Sequence, residues 1–364
     1  MNILLLEPYY TGSHKAWADG LKKYSPHNIK ILSMPGSFWK WRMHGGAITL
    51  SEKFNKLNFV PDLILATDML NLSSFLSLTR KKTVNIPTAI YFHENQLTYP
   101  WSPIDRDVKN NRDHHYSFIN YISAYIADKV FFNSAYHKNI FFKSLRPFLK
   151  MFPDNRGLKT VDMIKAKSAV LHLGVDLKEL PLYKQKSVKN KKPLILWNHR
   201  WEHDKNPEDF INTLILLKNR NIDFNVAFLG ECFNQVPEIF LKAKKHLKEN
   251  IVHFGYVKNQ VEYIAWLRKA DIIPVTSHHD FFGVSIIQAI SCECIPLLPK
   301  RLSYPELVPI KEYPDNFYSG QEDFTAKLGD IILNPQNYPV PKEAVARFDW
   351  PNIISEYNEK LTIN

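Results

Sequence analysis

A chain of 364 residues exceeds what one hydrophobic core usually serves, so its length points to two domains of similar size. Hydrophobic residues at 45% and charged residues at 23% are ordinary for a globular protein and exclude a chain dominated by disorder. With 47 Lys+Arg against 36 Asp+Glu the formal charge is +11, which suits a polyanionic partner.

The amino terminus opens on Ile3-Leu4-Leu5-Leu6, and Glu7-Pro8 ends that apolar run far short of a signal peptide or a membrane span. The expectation is a cytoplasmic protein with no membrane partner. Short runs rich in Ile, Leu, Val and Phe then recur between amphipathic stretches, the pattern of a parallel sheet covered on both faces by helices. One series comprises Asn2–Leu6, Ile29–Ser33, Asp62–Thr67, Thr88–His93, Val130–Asn133 and Ala169–Leu173. A second comprises Leu194–Asn198, Asn225–Leu229, Ile251–Phe254, Ile272–Val275 and Ile295–Leu298. Residues 181–192 separate them, are rich in lysine and poor in apolar side chains, and read as an exposed linker. The sequence therefore predicts an α/β protein of two Rossmann-like, doubly wound parallel-sheet domains, residues 1–180 and 193–349, facing a central cleft. A helix over 350–364 begins with Pro351 in its first turn, places Ile353, Ile354, Tyr357 and Leu361 at helical spacing, and is expected to pack back across the junction. Ligands of this architecture bind at the carboxyl ends of the strands, so function has to be read from the loops there.

After the first strand, Thr11-Gly12-Ser13-His14 forms a glycine-containing loop; Gly12 is placed to face donor phosphates, with Ser13 and His14 on the acceptor side, although a plain turn is equally compatible. After the second strand, residues 34–46 interleave Phe38, Trp39 and Trp41 with Lys40 and Arg42 and continue to His44. Such a mixture stacks on bases while contacting phosphates, and internal packing is the alternative. His93-Glu94-Asn95-Gln96 ends the fourth strand, and His93 is the candidate catalytic group there, a structural histidine being the alternative. Lys138, Lys143, Arg146, Lys150, Arg156 and Lys159 form a basic stretch interspersed with phenylalanines.

In the second series, Asn198 is followed by Arg200 and Lys205, two fixed cations in one strand-to-helix loop that could neutralise a departing diphosphate. Glu202 and Asp204 in the same loop leave open an ordinary salt-bridged turn. Further on, His279-Asp280 precedes Gly283-Val284-Ser285, where a glycine opens an apolar helix whose N-terminus offers N–H groups to an anion. Gln288 lies about a turn and a half along that helix, within reach of a ribose hydroxyl, and Asp280 is placed to hold hydroxyls of a transferred sugar. Cys232, Cys292 and Cys294 lack zinc-ligand spacing and read as reduced core thiols. The adjacent pairs His114-His115 and His278-His279 lack the i, i+4 spacing of a helical zinc motif, so no metal is expected; His279 belongs instead beside Asp280.

The order Arg200-x4-Lys205 followed by Asp280-x-Phe282-Gly283-x4-Gln288 resembles glycosyltransferase family four, of GT-B fold, whose E-x7-E signature has Glu where this chain has Asp280 and Gln288. By that resemblance Gly230, Glu231 and Tyr256 line the pocket for the donor base, and His93 touches the transferred sugar. It further implies retaining, metal-independent transfer with no cofactor, in which the leaving diphosphate helps to take the acceptor proton. The phrases EPYYTGSHKAWADGL, MPGSFWKWRMHGG, YFHENQLTYPW, NHRWEHDKNP, HHDFFGVSIIQA and RLSYPEL resemble, over nearly the whole chain, the glycosyltransferase-like domain-containing proteins described as mannosylating queuosine in tRNA. That likeness implies an N-terminal acceptor domain, a C-terminal nucleotide-sugar donor domain, GDP-mannose as donor, and queuosine in the anticodon of an aspartate tRNA as acceptor. Two alternatives stay open: a transferase acting on a lipid or polysaccharide, and an inactive nucleotide-sugar or RNA-binding protein, motivated by Asp280 and Gln288.

Overall fold

A computed structural model describes residues 1–101, 107, 114–178, 180, 192–231 and 236–362. The chain forms two compact units, Met1–Val175 with Trp350–Asn364, and Asp176–Asp349. The expected linker lies outside the described residues except for Lys192, whose Nζ sits 3.0 Å from Asp223 Oδ1. Cys232 also lies outside them.

The first unit runs β1 (Asn2–Tyr10), α1 (Gly12–Tyr24), β2 (Asn28–Pro35), α2 (Trp39–Asn55), β3 (Leu63–Thr67), α3 (Leu72–Thr83), β4 (Thr88–Phe92), α4 (His115–Ile126), β5 (Lys129–Phe132), α5 (Ala135–Lys150), α6 (Lys159–Ala166) and β6 (Ser168–Val170). The second runs β7 (Leu194–Trp197), α7 (Pro207–Asn219), β8 (Asn225–Phe228), α8 (Glu238–His246), β9 (Ile251–Phe254), α9 (Gln260–Lys269), β10 (Ile272–Pro274), α10 (Val284–Ser291), β11 (Ile295–Pro299), α11 (Tyr304–Leu307), β12 (Phe317–Tyr318), α12 (Gln321–Leu333) and α13 (Lys342–Ala346). The last helix, α14 (Trp350–Leu361), belongs to the first unit.

Each unit holds a six-stranded sheet, ordered β2-β1-β3-β4-β5-β6 and β12-β11-β10-β7-β8-β9, and all the strand pairs are parallel. The two-fold α/β architecture read from the apolar runs is therefore the one the chain adopts. Strands β3, β4 and β7 are buried along their whole length, as sheets covered on both faces require. The first sheet reverses its winding between β1 and β3 and the second between β7 and β10. Ligands of doubly wound sheets bind at such reversals, so the topology nominates one loop cluster in each unit.

Two differences from the sequence reading have local causes. The two-residue β12 is too short to leave a periodic signal, and the fourth strand stops at Phe92, which releases His93 into the loop. The C-terminal helix braces the first unit from behind. A Cβ on Gly20 would come within 2.0 Å of the Trp350 indole and one on Gly174 within 2.4 Å, so two glycines make room for that ring. Tyr357 Oη accepts from Trp17 Nε1 at 2.9 Å and donates to His172 O at 2.7 Å. Trp17 stacks on Tyr91 at 4.5 Å, and both rings lie under the ring of His93, at 4.8 and 4.9 Å.

Candidate active site

At the β1/β3 reversal, Glu7 follows the apolar run of residues 3–6 inside β1, with its carboxylate wholly buried. Its Oε1 accepts from Tyr9 N at 2.9 Å and its Oε2 faces His14 Nδ1 at 3.1 Å. Burial alone would strip the proton from His14, but the Glu7 carboxylate, aided by Asp68 and Glu94, outweighs it and raises the imidazole from 6.5 to about 9, so His14 is held as a cation. That ring lies 4.2 Å from the ring of His93. His93 is driven the opposite way, well below its ordinary value, by burial first and then by the His14 charge. Its backbone N–H donates to Asp68 Oδ1 at 2.8 Å and its carbonyl accepts from Asn133 Nδ2 at 2.8 Å. Neither ring nitrogen of His93 has a partner among the described residues. The result is a neutral imidazole, fixed by its backbone and by three rings packed tilted or edge-on against it, able to donate from one nitrogen and accept at the other. Burial, reinforced by Glu94 and Glu7, pushes the Asp68 carboxyl well above the usual carboxylate range.

Glu7, His14 and His93 also form the group, among the described residues, whose ligand atoms lie within 4.8 Å of one another. With no ion bound, His14 Nδ1 carries its proton toward Glu7, and a cation held there would displace that proton.

Around this centre Gly12 adopts φ +49 with open space where a Cβ would stand, and Ser13 is exposed beside it. Glu94 Oε1 accepts from Gln96 Nε2 at 3.0 Å. Asn95 is buried and accepts from Thr98 N at 3.0 Å, while Gln96 N donates to Asn120 Oδ1 at 2.7 Å, so Asn95 and Gln96 build the loop. The aromatic loop divides in the same way. Trp39 packs against Tyr116 at 5.1 Å, and buried Arg42 donates to Pro35 O at 3.1 Å, whereas Trp41 and His44 face outward. In the basic stretch, residues 135–167 carry eight Lys or Arg against two Asp. Phe141 and Phe148 belong to the core there, and Arg146 pairs with Asp162 at 3.2 Å.

In the second unit the loop after β7 is sewn to the loop after β10. Thr276 Oγ1 donates to Lys205 O and Asn206 O at 2.9 and 2.8 Å, and His278 N donates to Asp204 O at 2.8 Å. Lys205 is buried; its Nζ donates to His279 O at 2.7 Å and lies 3.3 Å from Asp204 and 3.9 Å from Asp280. Although burial works against it, the nearby Lys205 and Arg200 charges hold Asp204 below the usual carboxylate range. Arg200 pairs with Glu202 at 3.2 Å. Burial and then Lys205 lower both His199 and His279 to about 4, so two neutral imidazoles flank the cations.

Asp280 accepts from Phe282 N and from Tyr304 Oη, each at 3.2 Å, which fixes the carboxylate just before Gly283. Gly283 takes φ +105 and caps α10, leaving the N–H groups of Val284 and Ser285 at the helix start. Asn198 Nδ2 lies 3.3 Å from both Tyr263 Oη and Ser285 O, and Tyr263 Oη lies 3.3 Å from Gln288 Oε1. A chain Asn198–Tyr263–Gln288 thus ties the β7 end to α10. Gly230 has a steric reason to be glycine, since a Cβ there would stand 1.6 Å from His199 O. Glu231 O accepts from Trp201 N at 2.9 Å, and Tyr256 is exposed.

Glu7, Asp68, His199, Tyr263 and Tyr304 went unmarked in the sequence reading. The available cue for the first two was an acid directly following a buried apolar run; the tyrosines gave none, because their hydroxyls reach the site from neighbouring helices.

Doubly wound sheets carrying these loops define a glycosyltransferase of GT-B fold. Sucrose-phosphate synthase from Thermosynechococcus elongatus superposes with a TM-score of 0.68 at 13% identity, covering 99% of this chain and 98% of that one. The Anabaena HepE protein, solved in complex with UDP and glucose, superposes with a TM-score of 0.65 at 15% identity, covering 99% of each chain. Residues 181–336 match the model of the glycosyl transferases group 1, and residues 2–175 match that of the tRNA-queuosine alpha-mannosyltransferase N-terminal region. A tRNA-queuosine alpha-mannosyltransferase of Drosophila melanogaster is 34% identical over 343 residues, 92% of this chain and 88% of that protein. The chain belongs to the tRNA-queuosine alpha-mannosyltransferase family and is a hexosyltransferase. No helix among the described residues is long and apolar enough to cross a membrane.

Proposed function

We propose that this protein transfers mannose from GDP-mannose, with retention of configuration and without a metal, onto queuosine in the anticodon of an aspartate tRNA in the cytoplasm. The observation that carries the donor half is the convergence, at the β7/β10 reversal, of buried Lys205 and the Gly283 helix start on one loop cluster. A diphosphate there meets a cation and helix N–H groups fixed beforehand, which stabilise the charge that grows as the sugar departs. Asp280, held by Tyr304, is set to accept from sugar hydroxyls, and the Asn198–Tyr263–Gln288 chain to receive the nucleoside. In the first unit, neutral His93 carries an uncommitted nitrogen, and it is the residue that the family resemblance assigns to the transferred sugar. No carboxylate nucleophile enters this account; the protein positions both substrates and stabilises the leaving diphosphate, which takes the acceptor proton.

The test is incubation of the protein with GDP-mannose and tRNA carrying or lacking queuosine, followed by mass spectrometry of the nucleosides. A hexose on queuosine only is the expected result. Transfer from UDP-glucose but not GDP-mannose, or transfer to a lipid and not to tRNA, refutes the reading.

A further inference from the structure

The aromatic loop identified in the sequence separates into an inward and an outward set. Trp39 joins Met43, Met69, Tyr116 and Ile119 in a small core, and Lys40 pairs with Asp107 among aromatic rings. Phe38 and Trp41, by contrast, are 79% and 61% exposed. Phe38 caps α2 in the left-handed region, φ 53, without a side-chain hydrogen bond, a conformation that bulky residues rarely adopt. Trp41 lies along its own helix: a Cβ on Gly45 would stand 2.6 Å from the indole, so the glycine lets one edge of the ring seat on the backbone while the rest stays open. One turn on, exposed His44 lies 4.9 Å from the His115 ring at an interplanar angle of 31°. Phe38, Trp41 and His44 follow at helical i, i+3 spacing and make one outward stripe.

The stripe starts at the working end of the sheet. It follows the carboxyl end of β2, and a Cβ on Gly36 would stand 2.1 Å from Thr11, so this loop abuts the β1–α1 turn that leads into Gly12 and His14. We infer that Phe38 and Trp41 form a stacking platform for unpaired bases of an RNA loop, holding the nucleotides that flank the one being modified. Planar rings backed on a helix and flanked by imidazoles suit base faces, and a net charge of +11 suits the phosphates between them. This rests on the acceptor being tRNA and adds how its single-stranded loop is gripped.

The test compares wild type with Phe38→Ala, Trp41→Ala, Trp41→Phe and Gly45→Ala, the last displacing the indole without removing it. Val60→Ala, an equally exposed apolar truncation on another surface, serves as the control. Binding is measured on a queuosine-containing anticodon stem-loop and on a fully paired RNA hairpin of the same length. Each lost stack is worth roughly a ten- to hundredfold rise in Kd for the stem-loop, little change for the hairpin, and recovery in Trp41→Phe. Kd unchanged in Phe38→Ala and Trp41→Ala, an equal loss on both RNAs, or instead the loss of a self-associated or protein-bound state overturns the inference. Stem-loop binding that depends on Trp41, in a protein that moves no mannose, would refute the proposed reaction and leave the platform standing.

Discussion

Replacing Glu7 by Gln removes one charge from a buried pair while preserving shape, and the structure sets the size of the consequence. The His14 imidazole titrates near 9 in the folded protein against 6.5 in an unfolded chain. A folded value above the unfolded one means that the pair's contribution is complete below pH 6.5 and is lost as pH rises through 9. Its size, from the difference between those two values, is about 3 kcal/mol. In Glu7→Gln the counter-charge is gone, burial then dominates, and His14 stays neutral. Urea unfolding of both full-length proteins, followed at pH 6 and at pH 9.5, reads the difference directly. Wild type should be the more stable by about 3 kcal/mol at pH 6, and most of that gap should close by pH 9.5. Parallel pH dependences for the two proteins would refute the ionised Glu7–His14 pair, and with it the charge that adds to burial in keeping His93 neutral.

Arg200→Ala should lower hexose transfer on the order of a hundred- to a thousandfold while RNA binding, read by filter retention, persists; an equal loss of both removes Arg200 from the donor site. Gly283→Ala forces a Cβ into a φ of +105 and against Leu307 at 3.1 Å, and should cost on the order of 1–3 kcal/mol in thermal unfolding; an unchanged melting temperature contradicts the strained cap. Tyr357→Phe strands Trp17 Nε1 and His172 O, buried behind His93, at about 1–3 kcal/mol, and an unaltered unfolding midpoint would show that the hydroxyl does not brace the site. Since His93 is held neutral from well below its ordinary value, transfer rates should show no inflection near pH 6.5; an acid limb there that vanishes in His93→Gln would contradict that protonation state.

Local sequence pattern and tertiary packing carry two kinds of information about this protein. Apolar runs such as Asn2–Leu6 and Thr88–His93 sufficed for the two doubly wound sheets, because a strand buried on both faces must be apolar throughout, whatever its neighbours are. The Arg200–Lys205 loop and the Gly283 helix start were likewise visible, since a cation pair and a glycine before an apolar helix are local features. Strand order was not legible, because it depends on which edges pair in space; yet the order is what brings Glu7 beside Asp68 and Lys205 beside Asp280. The same limit applies within the aromatic loop: Trp39 and Trp41 are alike in composition and two positions apart, and helix phase alone turns one into the core and the other to solvent. What the sequence by itself determined was therefore the set of elements and the chemistry at their ends, which arise from local pattern. Only the tertiary structure decided which ends meet and which charges are buried together, because the protonation of His14 and His93 depends on the dielectric and the neighbours that packing supplies.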